Sequence, residues 1–246
     1  MIETKRRGGI GDRHLGREMG EPSVFVCFPS ADVSRAAIAK KKWQSKGYKV
    51  SLFFDTDRES IDADQVVFGD YKGYWNACNK LAAGAFRAGA DVVVFAADDI
   101  DPDPNNTAQQ IAAEYLMMYP DGFAVMQPAG DLQGIDSSGK PAAARICGSP
   151  WFGKGWNDRA YQGKGPTHDG YFHFYGDEDL YEVASRLGVL WVRSDLTQFH
   201  RHWSWGHSQQ TSYQRRNSSK HWNTDKATFA VRKAEGFPGH EPLVIV

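Results

Sequence analysis

The sequence predicts an α/β domain with a mostly parallel central sheet and helices flanking it, and three observations predict it. Apolar runs of strand length recur at residues 24–28, 50–54, 92–95 and 123–126. Segments of helical length and period lie between them, at residues 33–46, 76–87 and 107–118. Gly47 and Gly89 stand where the first two of those helices must stop. Strands separated by helices form crossover units, and crossover units build parallel sheets.

The elements follow in order. Residues 1–22, rich in Gly, Lys and Arg, read as a flexible arm. Val24-Phe25-Val26-Cys27-Phe28 is apolar throughout, as a strand covered on both faces is, and it stops at Pro29. A helix over 33–46 follows, then Val50-Ser51-Leu52-Phe53-Phe54, which stops at Asp55. The next helix places Ala77, Leu81, Ala85 and Ala88 on one face. Val92-Val93-Val94-Phe95 is a third strand and leads to Asp98-Asp99. Thr107 is suited to cap a third helix, and Phe123-Ala124-Val125-Met126 is a fourth strand. The second half is less regular. Residues 128–176 are rich in Gly, Pro and aromatics and read as loops and short strands forming one wall of a cleft. A helix over 179–187, with Leu180, Val183, Ala184 and Leu187 at core spacing, is stopped by Gly188 and followed by a strand over 189–192. Beyond Trp205 the chain is polar and basic. The expected organisation is an arm (1–22), one catalytic domain (23–207) and a basic C-terminal extension packed on it (208–246).

Composition narrows the functional class. The chain has 246 residues, 41% hydrophobic and 13% aromatic, with a formal net charge of -1. That supports a folded core and names no polyanion or membrane as an obligatory partner. No apolar run approaches the roughly 20 residues that span a bilayer, and the N-terminus lacks the apolar stretch of a secretory signal. A cytoplasmic location is the default expectation. Cys27, Cys78 and Cys147 lack CxxC spacing, which argues against a zinc site or disulfide framework, and Cys27 and Cys78 read as buried small hydrophobes. Gly148 to Lys154 mimics the spacing of a phosphate loop, but Gly155 replaces the required Ser or Thr and no helix-forming run follows, so the match is coincidental.

In parallel sheets ligands bind beyond the carboxyl ends of the strands. Here those ends carry Pro29, Asp55 and Asp98-Asp99, with Asp101 and Asp103 just beyond. Clustered carboxylates repel, and a cation among them relieves the repulsion; hard oxygen ligands suit Mg²⁺ or Mn²⁺. The alternative is a solvated acidic turn shaped by Pro102 and Pro104. Tyr175-Gly176-Asp177-Glu178-Asp179-Leu180 places three acids at a helix start. Helix capping explains one of them, and a cleft-lining carboxylate there could serve as a general base. In Phe199-His200-Arg201-His202-Trp203-Ser204-Trp205, an extended backbone would point His200 and His202 the same way, as metal or phosphate ligands.

The order of these segments resembles the GT-A-fold glycosyltransferases, particularly the inverting type, over about residues 24–205. The resemblance rests on Phe28-Pro29-Ser30-Ala31-Asp32 after a first strand, Asp55 after a second, and Asn76 and Asn79 ahead of Ala97-Asp98-Asp99-Ile100, which is similar to the family's DxD region. Gly176-Asp177-Glu178-Asp179-Leu180 resembles its ED segment, with a His–Trp segment following. The match departs from the family where Ala96 stands in place of the usual first Asp, while Asp99-Ile100-Asp101 is a literal DxD further from the strand.

The resemblance implies a Rossmann-like nucleotide-diphospho-sugar transferase architecture. It implies a nucleotide-sugar donor contacted by Pro29, Asp55, Asn79 and Asp98, and Mn²⁺ or Mg²⁺ held by Asp98, Asp99 or Asp101 with His200 or His202. It favours Asp179 as the base, with Asp177 second. Trp151, Trp156, Trp203 and Trp205 are candidates to line the sugar and acceptor site, with core packing as the alternative for each. The acceptor is open among a glycan, a protein, a small molecule and a modified DNA base. Between Arg193 and Lys233 eight Lys or Arg face two Asp and interleave with aromatics, as nucleic-acid surfaces do. Two rivals stand beside this reading. One is a nucleotidyltransferase, for which the Gly-rich basic loop after the first strand is missing. The other is a non-catalytic carbohydrate- or nucleic-acid-binding protein.

Overall fold

The computed structural model describes residues 20–55, 61–130, 145–203, 206–210, 215 and 220–237. They form an α/β unit with a seven-stranded mixed sheet and six helices. The elements are β1 (Val24–Pro29), α1 (Val33–Gln44), β2 (Lys49–Phe54), β3 (Gln65–Phe68), α2 (Tyr74–Arg87), β4 (Val92–Phe95), β5 (Ile100–Asp101), α3 (Ala108–Met118) and β6 (Val125–Pro128). After these come β7 (Trp151–Gly153), α4 (Lys154–Arg159), α5 (Gly176–Arg186), β8 (Leu190–Arg193), β9 (Phe199–His200) and α6 (Trp222–Ala234). The sheet order is β3-β2-β1-β4-β7-β6-β8. All its pairings are parallel except the two made by β7. β5 and β9 pair separately and antiparallel. The fold is compatible with a Rossmann-like architecture.

Alternation along the strands sorts the core into two layers. Phe25, Cys27, Val93, Phe95, Val125 and Phe152 face α2 and α5, and meet Leu81, Ala85, Leu180 and Val183. Val24, Val26, Phe28, Val92, Val94 and Met126 face α1 and α3, and meet Ala36, Trp43, Ile111 and Tyr115. The central strands are apolar throughout because both of their faces are covered. Cys27, Cys78 and Cys147 are buried free thiols.

Several helix boundaries have local causes. The Asp32 carboxylate accepts from the Arg35 amide and starts α1. Thr107 and Gln110 form a reciprocal capping box on α3. Gly73, at φ 106, precedes α2, and a Cβ there would collide with the Phe172 backbone. α5 begins at Gly176 rather than at 179, so Asp177, Glu178 and Asp179 all lie in its first turn. A Cβ on Gly176 would enter the Trp75 indole, so only glycine lets α5 start this close to α2.

β3, the β5–β9 pair and α6 lie outside the elements expected from sequence. β3 is short and half-exposed, without a sustained apolar run. A short helix, α4, does follow Gly153. Because β7 is antiparallel, Gly153 and Lys154 lie at the amino edge of β4, opposite the strand carboxyl ends. The phosphate-loop resemblance fails on position as well as on Gly155.

Candidate functional site

Strands β1, β2, β4 and β6 all end at one edge of the sheet, and α1, α2 and α5 run back from that edge. Three helix amino termini, those of α1, α2 and α5, therefore lie beside the strand carboxyl ends, where anions are favoured, whereas α3 starts against the Lys46 carbonyl past the end of α1. The expected residues Pro29, Asp55, Asp98, Asp99 and Asp177 come to this edge, while Asp101 lies further back, against Lys42 in the last turn of α1. Pro29 ends β1 and is half-buried, and Asp55 is exposed just past β2.

The acidic turn after β4 has most of its charge met by the protein itself. Asp98 accepts from the Ser30 hydroxyl at 2.7 Å and from Arg35 at 2.7 and 3.2 Å. Asp101 pairs with Lys42 at 2.8 Å and Arg201 at 3.2 Å. Asp103 accepts from the amides of Asn105, Asn106 and Thr197, so it holds a turn. Carboxylate repulsion here does not require a metal, because Arg35, Lys42 and Arg201 compensate it.

Asp99 is different. It is buried, with Arg35 3.7 Å from one oxygen and the His200 Nε2 3.4 Å from the other. The β5–β9 ladder creates this contact by pairing Ile100 with His200, and the Arg201 amide donates to the Asp99 carbonyl. Burial works to raise the Asp99 pKa, but the hydrogen bond and charge of His200, with Arg35 and His202, outweigh it and hold it below its ordinary value. The His202 ring lies 4.9 Å from that of His200 and 5.5 Å from Trp203. Burial first, then the neighbouring His200, push the His202 pKa down to about 4, so its imidazole is neutral at pH 7.

Among the described residues no group of three or more His, Cys, Asp or Glu side chains forms a ready metal-binding set. Asp99, His200 and His202 bring one carboxylate and two imidazoles near one another, of the donor types that Mn²⁺ takes, but Asp99 is already engaged by His200 and Arg35. Asp98 and Asp101 are committed to ion pairs.

Asp177 approaches the same edge from α5. Tyr74 stands between them: its hydroxyl donates to the Ala96 carbonyl at 3.0 Å, and it lies within the electrostatic reach of Asp177. Burial first, then the adjacent Glu178, push the Asp177 pKa up to about 6, against the opposing pull of its backbone amides and Arg145. The residue as a whole is half-buried. His173 lies nearby, and its buried Nδ1 has no hydrogen-bond partner.

Asp179, the first choice of base from sequence, does not fit that role. It is fully buried and takes bonds from Tyr161 at 3.0 Å, Tyr171 at 2.9 Å and Arg232 at 2.5 and 3.2 Å. A carboxylate with both oxygens engaged this way has no place for a substrate hydroxyl. Asn79, expected at the donor, is buried on α2 with both ends of its amide bound to Thr167. Trp151 and Trp156 are fully buried and donate to Gln198 and the Pro166 carbonyl, so both belong to the core. Trp203 remains at the edge, half-buried beside His202. Trp205 lies outside the described residues. The proposed basic surface also shrinks: Arg193 pairs with Glu114 and Asp195, Arg201 with Asp101 and Arg232 with Asp179.

Sequence reading missed Arg35, Tyr74 and His173. Arg35 and Tyr74 read as ordinary helix positions, and only the topology brings them to the strand end. A separate cavity of about 300 Å³ is lined by Tyr161, Lys164, His168, Arg232 and neighbouring residues, and includes none of the strand-end carboxylates.

No protein-family model matches the chain, and no curated protein matches its sequence. No helix among the described residues is long and apolar enough to cross a membrane.

Proposed function

We propose that the protein is a glycosyltransferase that moves a sugar from a nucleotide-diphosphate sugar to an acceptor hydroxyl, with Asp177 as general base. The observation that carries this reading is the meeting, at one sheet edge, of the acidic turn with His200 and His202 and of a half-buried aspartate whose pKa is raised to about 6. A base works best when its pKa lies near the operating pH. Asp177 would take the acceptor proton as the acceptor oxygen attacks the anomeric carbon and the nucleoside diphosphate departs. Converging helix amino termini and Arg35 would favour the charge building on the leaving diphosphate. A divalent ion, Mn²⁺ or Mg²⁺, would be held by Asp99 with His200 or His202 and would supply Lewis-acid stabilisation of that leaving group. Pro29 and Asp55 would line the nucleoside end, and Trp203 the sugar or acceptor.

The test is a panel of UDP-, GDP-, CDP- and dTDP-sugars with and without Mn²⁺, reading thermal stabilisation and release of nucleoside diphosphate. One nucleotide family should stabilise the protein and be slowly hydrolysed. Release of pyrophosphate from nucleoside triphosphates instead would favour a nucleotidyltransferase. No stabilisation by any nucleotide would contradict the donor site.

A further inference from the structure

Asp177 sits in a stretch of chain that α6 holds on both sides. Before it, the buried Asp225 carboxylate accepts three consecutive backbone amides, those of Phe172 at 3.0 Å, His173 at 2.9 Å and Phe174 at 2.8 Å. Aromatic contacts extend the same hold. His221 stacks on Phe172 with ring centroids 3.6 Å apart, and Trp222 packs on Phe174 at 4.9 Å and on Tyr175 at 5.1 Å. Phe229 adds a contact to Tyr175 at 5.4 Å. Tyr175 itself is left-handed at φ 63, a conformation a non-glycine residue keeps only when its surroundings enforce it. After Asp177, Arg232 grips Asp179 through two nitrogens.

Three aligned amides on one carboxylate are more than a loop needs for ordinary satisfaction, since two of them could equally bond to water. Fixing them removes the freedom of the segment that enters α5, and the strained Tyr175 sets the direction in which the first turn starts. The opposite wall is rigid too: Gly73 abuts the Phe172 backbone, the Tyr74 amide donates to the Phe172 carbonyl at 2.7 Å, and Gly176 lies against Trp75. The segment from 172 to 179 is thus clamped between α2 and α6.

We propose that α6 is the positioning element of the site, and that Asp225, with Trp222 and Arg232, fixes the backbone from 172 to 179 so that the Asp177 carboxylate faces the reacting hydroxyl. Asp225 is a positioning residue; it acts through the backbone and touches no substrate. The inference rests on the reading of Asp177 as general base. Catalytic geometry is sensitive at this scale, because displacement of a base by about 1 Å costs on the order of a hundredfold in rate.

The test compares Asp225→Asn and Trp222→Ala with the full-length wild-type protein, using the nucleotide sugar that the donor panel selects and, where no acceptor is known, its hydrolysis. Trp222 is 43% exposed, so its truncation leaves the core intact and guards against loss of folding. Both variants should lower kcat at least tenfold while the donor KM stays within threefold. The acid limb of the pH–rate profile should shift in both. In Asp225→Asn, hydrogen exchange of the amides of Phe172, His173 and Phe174 should accelerate at least tenfold, while amides of β1 and β4 keep their protection. Folded variants with wild-type kcat and an unchanged pH profile would overturn the proposal, as would losses of kcat no larger than the loss of folded protein. A wild-type protein that binds and hydrolyses no nucleotide sugar would instead remove the glycosyltransferase reading, and this proposal with it.

Discussion

Asp177 and Asp179 stand two positions apart in one helical turn, and their surroundings give opposite expectations on substitution. The Asp177 pKa in the folded protein lies above the ordinary value, so the folded state holds that proton more tightly than the unfolded chain. Its contribution to stability therefore falls as pH rises from 3.8 to about 6. Asp177→Asn should raise the melting temperature at pH 7.5 and at the same time lower turnover by about 10² to 10⁴, the usual worth of a general base. Thermal scans and turnover on the same preparation check both signs. Asp179→Asn should do the reverse on stability. It leaves Arg232, which is 6% exposed, without its charge partner, at a cost of about 3–5 kcal/mol, measured by denaturant unfolding. With Asp177 as the proposed base, the pH–rate profile of the wild type should show an acid limb near pH 6, since only the ionised carboxylate would accept a proton; a flat profile between pH 5 and 7 would separate Asp177 from the rate-limiting step. At the residue level the sequence placed three acids at a helix start, and the family resemblance ranked Asp179 above Asp177, the reverse of the order their surroundings favour. That order depends on Arg232, Tyr161 and Tyr171, which approach Asp179 from distant parts of the chain.

The elements most legible in the sequence were those whose cause is local. The apolar strands β1, β2 and β4 and the Thr107-capped α3 follow from burial on both faces and from side-chain capping. α6 was missed because its contacts with the domain rest on Asp225 and Arg232 rather than on a strong apolar stripe, so its sequence reads as polar and basic. β5 and β9 have two residues each, too few for any period, yet their pairing sets His200 against Asp99. Trp151 and Trp156 were candidates for a sugar surface because aromatics clustered in an irregular region, and the buried β7 and α4 take them into the core instead. At this scale Gly176→Ala is the sharp test. A Cβ there enters the Trp75 ring, so α5 must shift away from α2 at a cost of about 1–3 kcal/mol, and Asp177 shifts with it. Turnover should fall further than the loss of folded protein explains, as active-site titration would show.

Across the whole molecule, the parallel crossovers put the amino termini of α1, α2 and α5 and an acidic turn along one edge, and this arrangement was foreseeable from the alternation of strands and helices. The ion pairs of that turn were not, because Arg35 and Lys42 read as helix surface. Those pairs make one further expectation specific: Mn²⁺ should stabilise the protein more in the presence of a nucleoside diphosphate than alone, since the carboxylates are already largely compensated, and His202→Ala should reduce that increment in a thermal-shift assay. The measurement closest to the central claim is turnover of the stabilising nucleotide sugar by the wild type and Asp177→Asn side by side, with donor affinity measured on both. Wild-type release of nucleoside diphosphate, lost in Asp177→Asn while donor affinity stays within threefold, is the predicted result. Equal turnover by the two proteins would contradict it.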